Sequence, residues 1–175
     1  MPSRYLPLAI ALTAALSTTT GAQTKPDFSG DWSYDRSKST VVRVNNTNVD
    51  APAFGAEFSA QQDATSLRIN RDFGSPPTAY TWTFDLGGKP TTNKLPGSSG
   101  DDEVVSTASW SGGSLVITST RTSKDSQGKR VATSSLKRKL SLNRDGTLTI
   151  DASGTPPPIQ GHSNVTSVYE KKAEK

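Results

Sequence analysis

From Tyr80 to Leu86 the chain alternates without a break: Tyr80, Trp82, Phe84 and Leu86 share one parity, and Thr81, Thr83 and Asp85 take the other. Only an extended strand gathers such a pattern onto one oily surface, because its successive side chains point to opposite faces. The same division recurs down the chain. Leu115 and Ile117 oppose Val116 and Thr118; Leu136, Leu140 and Leu142 oppose Lys137, Lys139 and Ser141; Leu148 and Ile150 oppose Thr147 and Thr149. Amphipathic helical periodicity is not found beside it, so the chain reads as strand and turn.

Compact turn signals separate these runs: Asp63-Ala64-Thr65-Ser66, Ser111-Gly112-Gly113-Ser114, Asp125-Ser126-Gln127-Gly128 and Asn143-Arg144-Asp145-Gly146. Glycine and Asx residues tolerate the positive φ that tight turns need, and short turns join antiparallel neighbours. About eight to ten strands are predicted, the first at Phe28–Tyr34 and the last at Asn164–Lys171, at the regular spacing of a barrel or sandwich. Successive hairpins favour an all-β, antiparallel, up-and-down barrel, whose closure removes the edges that make open sheets aggregate. Three stretches read as irregular: Lys38 to Gly55, Gly87 to Glu103, and Gly154 to His162 with its Pro156-Pro157-Pro158 run. Loops of such length are lids, binding loops or plain connections.

The first residues follow the order of a secretory signal: a basic start at Arg4, an uncharged run from Leu6 to Leu16, and small residues at Thr20 and Ala22 before a cut ahead of Gln23. The apolar run is about half the roughly 20 residues of a spanning helix, which speaks against a membrane anchor. The predicted division is a signal peptide over 1–22, cut by signal peptidase, a linker over 23–27, a barrel domain over 28–171 and a charged tail over 172–175. The expected location is periplasmic or secreted. The sequence contains no cysteine. That excludes disulfides, thiolate metal sites, a cysteine nucleophile and a lipidated cysteine, so an exported domain must fold on its core alone. Leu, Ile, Val and Phe supply only about 18% of the region after the leader, and Ser with Thr about a quarter, which points to a thin core behind a wet face.

The segment Asp27-Phe28-Ser29-Gly30-Asp31-Trp32-Ser33-Tyr34-Asp35-Arg36-Ser37-Lys38-Ser39 resembles the opening of a family of small exported bacterial proteins of lipocalin-like (calycin-like) fold, mostly of unknown function. Later segments are similar in order and spacing: Ala108 to Ile117 resembles that family's tryptophan hairpin, Leu140 to Ile150 its penultimate hairpin, and Val168-Tyr169-Glu170-Lys171 its final strand. Gly30-Asp31-Trp32 also resembles the Gly-x-Trp signature of lipocalins. The resemblance implies that Gly30 permits a tight backbone approach while Trp32 plugs one barrel end. The late arginine that covers this tryptophan in lipocalins has no counterpart, since the last strand offers Lys171 and Lys172, and the Thr-Asp-Tyr triplet of lipocalins is missing too.

A barrel of this size encloses at most one small ligand. Tyr80, Trp82, Phe84, Trp110, Ile117, Leu136, Arg138 and Leu140 are the candidate ligand-binding residues, with Leu115 and Leu142 on the same inward parity. The plain alternative is that the apolar members simply fill the interior. Arg138 is the sharpest feature, because its parity aims a guanidinium among leucines, where a charge is costly unless a carboxylate of the protein or of a ligand meets it. A twist or bulge that turns it to solvent is the competing reading. Arg71 and Arg121 share the inward parity at strand ends, where exposure is the default. His162 is the only histidine, so neither a histidine metal cluster nor a serine triad has a basis. Asp101-Asp102-Glu103 lacks the spacing of a calcium loop and reads as a solvated acidic turn. Lys137-Arg138-Lys139 alternates across a strand and makes no nucleic-acid patch. The expectation is a non-enzymatic barrel without metal or cofactor that takes a small hydrophobic ligand. The alternative is a filled barrel whose loops bind an envelope protein or a glycan.

Overall fold

The computed structural model describes residues 24–71, 80–97, 100–155 and 164–173. Along them run β1 (Gly30–Tyr34), β2 (Val41–Val44), β3 (Thr47–Asp50), β4 (Glu57–Gln62), β5 (Ser66–Arg71) and β6 (Tyr80–Asp85). The second half supplies β7 (Thr91–Gly97), β8 (Gly100–Ser111), β9 (Ser114–Lys124), β10 (Arg130–Leu142), β11 (Leu148–Thr155) and β12 (Asn164–Lys171). A single 3-10 turn at Arg36–Lys38 interrupts the β1–β2 connection. Ten strands form one antiparallel sheet in the order β6, β5, β4, β1, β12, β11, β10, β9, β8, β7, while β2 and β3 pair apart as a hairpin. Every sheet neighbour but the β1–β12 and β1–β4 pairs is also a neighbour in sequence, so this is the expected up-and-down, lipocalin-like barrel.

The two edge strands of that sheet, β6 and β7, come back against each other, and one side chain joins them. Thr83 N–H donates to Asn93 Oδ1 at 2.8 Å, and Asn93 Nδ2 donates to the Thr83 carbonyl at 3.1 Å. A buried carboxamide thus takes the place of a peptide group, presenting one acceptor and one donor where a ladder would.

The two ends of the barrel differ. At the end where β1 begins, here the lower end, tight turns link β4 to β5, β6 to β7, β8 to β9 and β10 to β11. Aspartates nucleate three of them. Asp63 accepts from the Thr65 and Ser66 amides at 2.7 Å each, Asp85 from the Gly87 and Lys89 amides, and Asp145 from the Thr147 amide. These bonds, led by that from the Thr65 amide, hold the Asp63 carboxyl well below the usual carboxylate range. At the upper end, Asp125 turns β9 into β10 by the same device.

The long β1–β4 connection folds over the upper end, and the irregular stretch expected from Lys38 to Gly55 proves to contain β2 and β3. Their turn is Asn45-Asn46, with φ of 48° and 63°, the left-handed pair that closes a two-residue hairpin. The stretch from Gly87 to Glu103 is likewise corrected: it holds β7 and the start of β8. Asp101, Asp102 and Glu103 are therefore not a solvated turn, since the strand points Asp102 into the barrel and the other two outward. Gly154 and Thr155 end β11, whereas the proline run and His162 lie outside the described residues, as does the signal segment 1–22.

The inward set packs the barrel below the cavity level, with Trp32, Leu67, Ile69, Phe84, Leu115, Ile117, Leu140, Leu148, Ile150 and Tyr169 all at or below 1% exposure. Burial of each large apolar side chain contributes about 1.5–3 kcal/mol, so this layer carries most of the fold's driving force. Leu142 is corrected too: it has the inward parity but ends its strand at the rim and is exposed.

Candidate functional site

Arg138 is where sequence parity and structure meet. It pairs with Ile117 on one side and Ala152 on the other, in the middle of β9–β10–β11, so its side chain enters the barrel. Its guanidinium carbon lies over the ring of Phe54, 4.8 Å from the centroid. Nε is buried and has no hydrogen-bond partner among the described residues. Burial pulls the guanidinium down from its ordinary 12.5 to about 10, against a smaller opposing pull from Tyr169. Arg138 thus holds a positive charge in the interior with a ring face beneath it and no carboxylate beside it among the described residues.

Beside Arg138 is a cavity of about 150 Å³ in the upper half of the barrel. Its apolar walls are Trp82 of β6, Leu95 of β7, Val104 of β8 and Leu136 of β10. Ser119, Arg121, Ser134 and Arg138 supply its polar groups. Two of the three polar side chains beside Arg138 are spoken for. Arg121 Nε donates to Asp102 Oδ2 at 2.6 Å, Ser123 Oγ donates to the same oxygen at 2.9 Å, and the Ser119 and Ser106 hydroxyls hydrogen-bond each other at 2.8 Å. Burial pushes the Asp102 carboxyl up, but the Ser123 and Arg121 bonds outweigh it and hold the group below its usual range. Arg121 is therefore a neutralised pair with Asp102, and Arg138 supplies the uncompensated charge.

Phe54 reaches the barrel centre from a loop. Its ring meets Phe58 and Trp82 edge-on, at 5.5 and 5.6 Å between centroids, and none of its surface is exposed. Side chains of β12 fix the loop that carries it. Ala53 N–H donates to Ser167 Oγ, which donates to the Ala51 carbonyl; Phe54 N–H donates to the Tyr169 hydroxyl, which donates to the Gly55 carbonyl. Gly55 holds φ of 99°, and a Cβ there would fall 2.2 Å from Arg71 Nε. The positive φ favours glycine, and any Cβ would also push the Arg71 guanidinium aside.

Of the candidate residues, the structure brings Trp82, Leu136 and Arg138 together at this cavity. Tyr80 stands at the upper rim, edge-on to Trp82 at 6.0 Å, beside a larger surface groove that Arg71 also lines. Phe84, Ile117 and Leu140 belong to the solid layer below. Trp110 sits at the lower end, half-buried, stacked on Phe28 at 6.0 Å with Lys25 Nζ 5.4 Å from its ring. Trp32 is buried at that same end, its Nε1–H donating to the Phe28 carbonyl at 2.9 Å, and the stem of Lys171 crosses Gly30 so closely that a Cβ would lie 2.3 Å from Cε.

Phe54, Leu95 and Val104 escaped the sequence reading. Leu95 and Val104 do keep the inward parity of β7 and β8, a signal masked by the polar residues between them. Phe54 offers no periodicity at all; a lone aromatic in Ala51-Pro52-Ala53-Phe54-Gly55-Ala56 is its only trace. No family model matches this chain, and no curated protein matches it.

Proposed function

We propose that this chain is an exported, non-enzymatic binding barrel whose upper cavity takes a small anion with a compact apolar body. The leader pattern supports export, and the observation that carries the ligand reading is Arg138, a part-buried side chain whose buried Nε has no partner among the described residues, at a cavity walled by Trp82, Leu95, Val104 and Leu136. A buried charge without a partner persists at a cost unless something else meets it, and a carboxylate matches the planar fork in two parallel bonds. A cavity of about 150 Å³ has room for a benzene-sized body. The ligand class is therefore an aromatic or short-chain carboxylate.

Native mass spectrometry of protein purified from its own host, followed by titration calorimetry of unfolded-and-refolded protein with benzoate and hexanoate, tests this. Adducts, or binding that Arg138→Gln removes, is the expected result. A bare mature chain that takes up neither carboxylate would sink the reading. That outcome would favour the second reading, a filled barrel that binds an envelope protein or glycan through its upper connections, which the solid lower core and the inserted Phe54 ring support.

A further inference from the structure

We propose that Phe54 is the specificity-determining residue of the cavity: a ring supplied by the chain itself that occupies the barrel centre and limits the bound carboxylate to one ring or a short chain. This rests on the ligand-binding reading. Three observations carry it. First, Phe54 meets Phe58 of β4, Trp82 of β6 and Arg138 of β10, and since Trp82 and Arg138 both line the cavity, the ring stands directly behind that part of its wall. Second, the ring is held in place and does not merely drift in. Ser167 and Tyr169, both fully buried, bind the loop backbone at Ala51, Ala53, Phe54 and Gly55 through four hydrogen bonds. Third, Arg138 Cζ lies over the Phe54 ring, 4.8 Å from its centroid, and a ring contact of this kind supports the guanidinium without offering its N–H donors a hydrogen-bond acceptor of the carboxylate kind.

Phe54 therefore acts in two ways. It blocks the room a longer acyl chain needs, and it steadies the group that receives the anion. Removing the ring should trade one ligand class for another. A purely structural role would weaken every ligand alike.

The experiment is titration calorimetry of benzoate, hexanoate, decanoate and dodecanoate against refolded wild-type, Phe54→Ala and Phe54→Leu proteins. For the wild type, benzoate and hexanoate should bind at least tenfold more tightly than decanoate. In Phe54→Ala the order should reverse, with decanoate gaining at least tenfold and benzoate losing several-fold, and Phe54→Leu should fall between. The leucine variant keeps the test decisive if the alanine variant fails to fold. Unchanged ranking in a folded variant, or a parallel loss for all four ligands, overturns the assignment of Phe54 while leaving the ligand site intact. If the wild type binds none of the four, the ligand reading falls and this assignment with it.

Discussion

Replacing Arg138 by methionine should make the ligand-free protein more stable. Burial lowers the proton affinity of the guanidinium from 12.5 to about 10, and with each tenfold change worth ~1.4 kcal/mol, holding the charge inside costs about 3 kcal/mol near neutral pH. The contact with the Phe54 ring returns about 0.5–2 kcal/mol of that. Methionine has similar length, fills the same wall beside Leu136 and Trp82, and leaves no charge behind. The expected net gain is about 1–2 kcal/mol, in line with other replacements of buried charges by apolar residues of like volume. For a domain of this size that is a rise of roughly 3–6 °C in Tm. Urea unfolding at pH 7, followed by tryptophan fluorescence on protein stripped of ligand by refolding, should show a higher midpoint with unchanged slope. With benzoate at a hundred times its Kd, wild type should recover about 2.7 kcal/mol by mass action and the variant nothing. A ligand-free Arg138→Met protein less stable than wild type by about 1 kcal/mol or more, beyond the scatter of such measurements, would refute the reasoning, since it would mean that the guanidinium already has a stabilising partner.

Tyr169→Phe leaves the Phe54 amide and the Gly55 carbonyl without their shared hydroxyl, and should cost about 1–3 kcal/mol in urea unfolding. The same residue sets an alkaline signature. Burial pushes its hydroxyl up from 10.0 to about 12, so between those values the folded chain keeps a proton the unfolded chain releases, and stability falls as pH rises. Arg138 runs the other way over the same window, the unfolded chain keeping the proton that the folded one releases from about 10 upward. Relative to wild type, Tyr169→Phe should gain stability from pH 10 to 12 and Arg138→Met should lose it; equal slopes in all three would contradict both assignments. Asn93→Ala strips Thr83 of both seam bonds and should cost about 2 kcal/mol or more, with the Thr83 amide exchanging in D₂O far faster than that of Ile117. Gly55→Ala should cost about 1–3 kcal/mol through its positive φ and displace Arg71, visible as a shifted midpoint and altered Tyr80 resonances; a neutral result would mean that the loop relaxes.

The architecture was legible wherever one face of a strand is oily. Tyr80 to Leu86, Leu115 to Ile117 and Leu136 to Leu142 declare their strands by alternation, and the same parity puts Arg138 inside. β7 stayed hidden because it buries Asn93 beside Leu95, a polar residue on the inner face that breaks the pattern, and because Pro96 and Gly97 read as loop. β2 and β3 stayed hidden because they expose most of their residues, leaving no alternation to find. Phe54 enters from a loop, where burial is decided by what lies across the barrel and not by neighbours in sequence. The cavity walls from β6 and β10 were thus readable, whereas those from β7 and β8 and the loop ring behind Trp82 and Arg138 were not.

The Asn93 seam also fixes how the barrel must be put together in time. It falls where the chain passes from β6 to β7, so the molecule consists of an N-terminal half-sheet, β6-β5-β4-β1, and a C-terminal one, β12 to β7. A chain that appears from its N-terminus completes the first half while the second does not yet exist. During that interval β1 and β6 are both bare edges, the first waiting for a partner that starts at Asn164. One side chain and the β1–β12 ladder then close both gaps, and until they do the unfinished half-sheet is the species most exposed to pairing with another copy of itself.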